Sequence, residues 1–260
     1  AINNKFCSKY NIISTSREKS KKKDTIKINL EEKYLNQFEE CKFDIIIHCA
    51  SLLANEKDAL SLDVFKKNIK ITENMITITK KTNSKLFINL STIAVYPNIS
   101  GEYKENSIVH PSLNNEGLYG LSKFCSEELL NFSFKETKTK VLNLRLGQTI
   151  GKGMRKDRVY SMMKNELKEK NIINVYGNGE RTSGFLSINY LLEKIETIIN
   201  HKGIEGTYNL VENNMSYYDL AKRIIEQHGD NNSSIKIISS GVNSKVKINS
   251  DKIEKYLNEE

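Results

Sequence analysis

Two residues in the stretch "EGLYGLSKFCSEELL" (116–130) have the types and the spacing to move a proton. Tyr119 and Lys123 are four apart, so on a helix they share one face, one turn from each other. An ammonium beside a phenol favours the phenolate, and a phenol with a lowered pKa exchanges protons near neutral pH. The same spacing also suits a solvated helix face, so the pair needs neighbours to carry meaning. Upstream, "LFINLSTIAVYP" (86–97) closes an apolar run on two hydroxyls, Ser91 and Thr92. At the C-terminal edge of a parallel sheet such hydroxyls face the ligand crevice, where one can hydrogen-bond a substrate oxygen.

The elements around these residues fit that placement. "YNIISTS" (10–16), "TIKINL" (25–30), "FDIIIHCA" (43–50), "KLFINLS" (85–91) and "KVLNLRLG" (140–147) read as strands, near-continuously apolar as in a parallel sheet buried on both faces. Helical patterns over 31–40, roughly 58–81 and 118–135 alternate with them, which implies right-handed βαβ units and a doubly wound α/β fold. Past residue 150 the rhythm loosens. "DRVYSMMKNELKEK", "INYLLEKIETIINH" and "SYYDLAKRIIEQHG", the last with Ser216 as N-cap and Gly229 at its end, read as helices. "GTYNLV" (206–211) and "SIKIIS" (234–239) read as short strands. Residues 1–150 are therefore expected to form a nucleotide-binding unit. Residues 151–260 are expected to form mainly a smaller substrate-binding lobe, with some segments returning to the first sheet.

None of the 13 glycines precedes Gly101. A dinucleotide-binding sheet opens with a strand and a glycine-rich turn, yet "AINNKFCSKY" reads as the end of a helix leading into a second strand. The expectation is a fragment without its first strand and glycine loop, inactive by itself and a poor binder of NADP(H). In the usual 3-2-1-4-5-6 order that strand is central, so the sheet should show a break there.

The bulk composition bounds the partners. At 38% hydrophobic and 28% charged residues, the chain has an ordinary soluble composition. No apolar run approaches the ~18 residues of a membrane span, and the first residues do not resemble a signal peptide. The net charge of +8 suits an anionic small molecule. It does not point to nucleic acid, because the one dense basic run, "REKSKKKD" (17–24), lacks interleaved aromatics and reads as a solvated loop. Cys7, Cys41, Cys49 and Cys125 are scattered, with no metal-ligand spacing, and read as reduced core thiols of a cytoplasmic protein.

An ordered series of segments resembles a known family, the extended short-chain dehydrogenase/reductases, the NAD(P)-dependent epimerase/dehydratase group. The segments are "DIIIHCAS" (44–51), "NIKITENMI" (68–76), "NLSTIAVYP" (89–97), "YGLSKFCSEEL" (119–129), "LNLRLGQTIGKG" (142–153), "VYGNGERTSGFLSIN" (175–189) and "GTYNLVENNMSYYDLA" (206–221). The resemblance implies a Rossmann-like fold and hydride chemistry on a sugar. Tyr119 would be the acid/base, Lys123 its pKa-lowering and ribose-binding partner, and Thr92 the third member of the triad. For the cofactor it implies Ser16 and Arg17 after the second strand, Asn29 and Leu30 near adenine, and Cys49, Ala50 and Ser51 beside the ribose and pyrophosphate. Leu146 and Gly147 would lie at the nicotinamide. Ser16 replaces the acid that binds a ribose 2′-hydroxyl, and Arg17 can grip a 2′-phosphate, which leans towards NADP(H) over NAD. Arg17 as the start of a basic loop remains the alternative. His48, among isoleucines, reads as a core histidine.

Two departures narrow the reaction. Where 4,6-dehydratases of the family carry Thr-Asp-Glu, this chain has Thr92, Ile93 and Ala94, and neither aliphatic side chain moves a proton. In "GNGERTSGF" (177–185), Ser183 and Gly184 replace the family's Arg-Asp, while Arg181 lies two residues before Ser183 and could supply the substrate's phosphate contact. Gln148 stands where an Asn commonly touches substrate. The expected protein is an epimerase or keto-reductase acting on a sugar, in all expectation nucleotide-linked, with no metal, and a homodimer through the helices near 58–81 and 118–135. The alternative is a non-catalytic NAD(P)-binding sensor or scaffold on the same fold.

Overall fold

The computed structural model describes residues 1–20, 24–32, 36–38, 40–53, 60–201 and 203–258. Along the chain run α1 (Ile2–Phe6), β1 (Ser14–Ser16), β2 (Thr25–Lys27), β3 (Ile45–His48), α2 (Leu62–Thr82), β4 (Leu86–Thr92), β5 (Gly101–Tyr103), α3 (Leu118–Phe134) and β6 (Lys140–Leu146). There follow β7 (Gln148–Ile150), α4 (Val159–Lys170), β8 (Ile172–Tyr176), β9 (Thr182–Ser187), α5 (Ile188–Asn200) and β10 (Gly206–Leu210). The chain ends with β11 (Asn213–Ser216), α6 (Tyr217–His228), β12 (Ser234–Ile238), β13 (Val246–Ile248) and α7 (Asp251–Asn258).

The main sheet is parallel, in the order β10-β6-β4-β3. Phe87, Ile88, Leu142 and Leu144 are fully buried in its two central strands, as their unbroken apolar runs require. One face packs on α2 and α3 through Ile71, Met75, Ile78, Leu130 and Phe134. The other packs on α1, α5 and α7 through Phe6, Leu191, Ile195, Ile198 and Ile253. Helices on both faces of a parallel sheet make the fold Rossmann-like and doubly wound. The expected break is present: among the described residues β1 and β2 pair with each other alone, as a separate parallel sheet. After residue 150, β7, β9 and β11 form one small sheet and β8 with β12 another, the latter covered by α4 and α6.

Helix ends follow local chemistry. Ser216 Oγ accepts the Asp219 amide at 3.0 Å at the start of α6. Asn83, in the left-handed region at φ 51°, ends α2. Of the helix expected over 31–40, residues 33–35 and 39 lie outside the described residues, and the described ones hold turns and a short 3-10 helix, Asn36–Phe38, in place of an α-helix. The apolar side chains of Leu30 and Phe38 enter the core. The basic run 17–24 is exposed at its described residues, and 21–23 lie outside them. The expectation of four core thiols is corrected: Cys7 and Cys49 are exposed, Cys125 is half-buried, and Cys41, also half-buried, packs against the core beneath α2 and α3; Cys7 follows the last turn of α1 and Cys49 follows a strand end. Among the described residues, no helix is long and apolar enough to cross a membrane.

Candidate active site

Three parallel strands end together. β3 runs on through Cys49 to Ser51, β4 ends at Thr92, and β6 ends at Leu146 before Gly147. These residues, apart from Ala50, line a cavity of about 620 Å³, ample for a small organic ligand. Gly147 is needed there: a β-carbon would lie 2.7 Å from the Gly184 carbonyl oxygen, where β9 crosses.

α3 brings Tyr119 to the same cavity. At Gly120 a β-carbon would meet the Ala94 carbonyl oxygen at 2.4 Å, so this glycine lets the helix press on the turn just after Thr92. Asn68 of α2 fixes the other side. It accepts the Leu52 amide at 2.7 Å and donates to the Leu52 carbonyl and to Ser122 Oγ, both at 3.0 Å. Ser122 in turn donates to the Tyr119 carbonyl at 2.8 Å. Buried polar groups that satisfy one another in this way hold their backbones in one arrangement.

The phenol of Tyr119 is only 8% exposed, and the Ser51 hydroxyl is its hydrogen-bond partner. Burial pushes it up to about 12, Glu116 adds to the rise, and Ser51 and Arg158 oppose it. Desolvation outweighs the hydrogen bond, and Lys123 is not among the groups acting on this phenol in the unliganded chain. Lys123 is 3% exposed and has no hydrogen-bond or ion-pair partner among the described residues. Burial pulls it down to about 8, with Glu127 and Cys49 opposing. The same ammonium assists burial in pushing His48 down to about 3, so this imidazole, tilted against Phe87, is neutral.

Of the two strand-end hydroxyls, Thr92 is the one left to act. Its Oγ1 accepts the Ala94 amide at 3.1 Å, which leaves the hydroxyl proton to donate. Ser91 instead donates to Glu127, a carboxylate 1% exposed that also takes Arg145 Nη2 at 2.8 Å and Nε at 3.1 Å. Arg145 continues to the Tyr96 hydroxyl at 2.9 Å, which donates to Asn209 Oδ1 at 2.8 Å. This buried chain ties α3, β4, β6 and β10 together beneath the cavity.

The facing wall comes from residues after 147. Gln148 Nε2 donates to Ser183 Oγ at 3.0 Å and to the Tyr217 hydroxyl at 3.2 Å. The Arg181 guanidinium lies over the Tyr217 ring, 4.8 Å from its centroid, with no carboxylate partner among the described residues. Arg155 is paired with Asp157, and Arg158 with Glu116.

Thr92, Tyr119, Cys49, Ser51, Leu146, Gly147, Gln148, Arg181 and Ser183 thus share one cavity, with Lys123 buried one turn behind Tyr119. Ser16, Arg17, Asn29, Leu30 and Ala50 do not line it. Leu30 is buried against α2, Asn29 caps its own turn by accepting the Glu31 amide at 3.2 Å, and Arg17 is exposed. Sequence reasoning missed Asn68, Glu116, Arg158 and Tyr217. The charged run "RKDR" (155–158) was a readable signal, but its partner Glu116, 42 residues from Arg158, was not.

Residues 7–211 match the model of the NAD dependent epimerase/dehydratase family. The chain belongs to this family. Solved structures of epimerase/dehydratase architecture superpose on it closely. MoeE5 in complex with UDP-glucuronic acid and NAD does so with a TM-score of 0.81 at 16% identity, over 98% of this chain and 87% of that one. UDP-N-acetylglucosamine 4-epimerase from Bacillus cereus gives 0.80 at 17%, over 99% and 85%. UDP-glucuronic acid 4-epimerase from Bacillus cereus, in complex with UDP-glucuronic acid and NAD, gives 0.76 at 20%, over 91% and 76%. At these identities the likeness is one of fold. By sequence, no curated protein matches the chain.

Proposed function

We propose that this epimerase/dehydratase-family chain carries the chemistry of an NAD(P)-dependent epimerase or keto-reductase acting on a nucleotide-linked sugar, with Tyr119 as acid/base. The observation that carries the reading is the meeting of Thr92 and Tyr119 in one cavity at the carboxyl edge of a parallel sheet, with Lys123 buried one turn behind.

Lys123 also tests the cofactor. A buried ammonium without a hydrogen-bond partner is costly, and the vicinal hydroxyls of a ribose are acceptors that would relieve it. The residues therefore fit a nicotinamide dinucleotide, held by Lys123, the Cys49–Ser51 segment, Leu146 and Gly147. Ser16 and Arg17 bias the site towards NADP(H), since an exposed arginine without an ion pair among the described residues is free for a 2′-phosphate. When bound, the cofactor supplies reversible hydride exchange with the sugar carbon.

The chain's own residues handle the proton. Tyr119 takes it from the sugar hydroxyl, or returns it to the carbonyl oxygen. Thr92 donates a hydrogen bond to that same oxygen, and Ser51 donates to the phenolate. Lys123 would hold the ribose hydroxyls, which stabilise its ammonium form, and that positive charge would favour the phenolate of Tyr119 one helical turn away. The two carboxylates that line the cavity, Glu116 and Asp157, are both paired with arginines, and Ile93 and Ala94 fill the turn after Thr92, which argues against water elimination. Arg181, with Gln148 and Ser183, is the anchor for a diphosphate. Leu62 and Phe132, exposed on α2 and α3, support a homodimer through those helices. In this reading residues 1–150 bind the dinucleotide and residues 151–260 mainly the sugar nucleotide.

The test follows absorbance at the reduced-nicotinamide band while the protein, completed with its first strand and glycine loop, is offered nucleotide-linked keto sugars. Stoichiometric loss marks a reductase; interconversion of sugars without net loss marks an epimerase. Tyr119→Phe should lower turnover by roughly 10²–10⁴-fold. Full turnover in that variant would leave the non-catalytic sensor as the better reading.

A further inference from the structure

The cavity has an uneven distribution of charge, which bears on the class of sugar it accepts; this inference rests on the nucleotide-sugar reading above. Three guanidinium groups line it, Arg155, Arg158 and Arg181, and they are not equivalent. Arg181 stacks on Tyr217 and has no carboxylate beside it among the described residues, so its end of the cavity is positive. Arg158 is bound by Glu116, and Asp157 also contributes to its charged state. Arg155 is bound by Asp157, its Nε 2.9 Å from Oδ1.

The Glu116–Arg158 pair is at the reacting end. Both groups act electrostatically on the Tyr119 phenol, and Glu116 precedes Tyr119 by one helical turn, its carbonyl accepting the Tyr119 amide at 3.1 Å. Glu116 is itself held in place, because its amide donates to Asn114 Oδ1 at 2.9 Å while Asn114 Nδ2 donates to the Tyr96 carbonyl at 2.8 Å. Two walls therefore meet beside the phenol as a fixed carboxylate and an arginine it already neutralises.

We infer that the site accepts sugars uncharged around the reacting carbon and rejects uronic acids, with Glu116 as the residue that decides. A carboxylate carried on the ring would face the Glu116 carboxylate in a partly desolvated cavity, and Arg158, the cation beside that carboxylate, is already paired with it. Binding would require breaking the Glu116–Arg158 pair or tolerating like charges, and either raises the dissociation constant. A neutral hydroxymethyl group meets neither obstacle.

The experiment is calorimetric titration of the chain and of Glu116→Gln and Arg158→Gln with UDP, UDP-glucose and UDP-glucuronic acid. The unaltered chain should bind UDP-glucose at least roughly tenfold more tightly than UDP-glucuronic acid. Glu116→Gln, which frees Arg158 without changing shape, should close or invert that gap while UDP itself binds within about threefold of the original. Arg158→Gln, which leaves Glu116 uncompensated, should widen it. Equal affinity for the two sugars in the unaltered chain, or a ratio unmoved by both substitutions, overturns the inference and leaves the nucleotide-sugar reading standing. Failure of all three probes to bind the unaltered chain overturns that reading, and this inference with it.

Discussion

The two walls of the cavity are built differently. The sheet-edge wall, with Thr92 and Ser51 half-buried and Tyr119 and Lys123 buried, is locked by side-chain-to-backbone bonds from Asn68 and Ser122 and by the Gly120 contact. Its ionisable groups stand far from their ordinary values: the phenol near 12, the ammonium near 8, the imidazole near 3. The opposite wall presents Arg155, Arg158 and Arg181 on long side chains, paired or stacked and partly open to solvent. Proton transfer needs fixed geometry and a low dielectric, whereas recognition of a charged ligand needs reach and hydrogen-bond donors. Each wall has what its task requires.

The sharpest way to break this contrast is Lys123→Met. It should lower turnover by roughly 10²-fold or more, yet raise the stability of the unliganded chain at pH 7 by about 1–3 kcal/mol, because an unpaired buried ammonium is removed. The pH dependence has a definite sign. Lys123 has a folded value of about 8 against 10.5 for a free lysine. Below about pH 8 both folded and unfolded chains hold the proton and the penalty is at full size. Between about 8 and 10.5 the unfolded chain binds more protons, so the unaltered chain gains stability as pH rises. Urea unfolding of both proteins at pH 7 and pH 10 should show that gain vanish in the variant. A variant that is less stable at pH 7, with the gain intact, would mean that Lys123 is paired in solution.

Gly120→Ala examines the locking itself. The new methyl would lie 2.4 Å from the Ala94 carbonyl oxygen, so α3 must move off the turn that follows Thr92. Denaturant unfolding should report a loss of about 1–3 kcal/mol. An unchanged midpoint would show that the two elements do not press together. Arg181→Gln, on the recognition wall, should have the mildest effect: affinity for UDP about tenfold weaker, fold stability within about 0.5 kcal/mol. A large stability loss there would erase the distinction between the walls.

The site was legible in proportion to how local its signals are. Tyr119 and Lys123 share a helix, and their common face follows from a spacing of four. Thr92 ends the run "LFINLST", so its place at a sheet edge follows from the strand pattern. Missing elements had weak or distant signals: β5 and β13 are three residues each and pair across the chain. The Glu116–Arg158 pair joins two walls through folding alone.

The amino-acid order by itself determined the alternation of strand and helix, the break in the sheet and the three side chains at its edge, because period and turn chemistry act over a few residues. Only the tertiary structure decided the charge state around them. Burial raised a phenol that spacing alone suggests should be lowered, left Lys123 without a hydrogen bond among the described residues, and placed a carboxylate beside an arginine at the reacting end. Desolvation and distant ion pairs depend on what the folded chain packs around each group, and no local pattern encodes that.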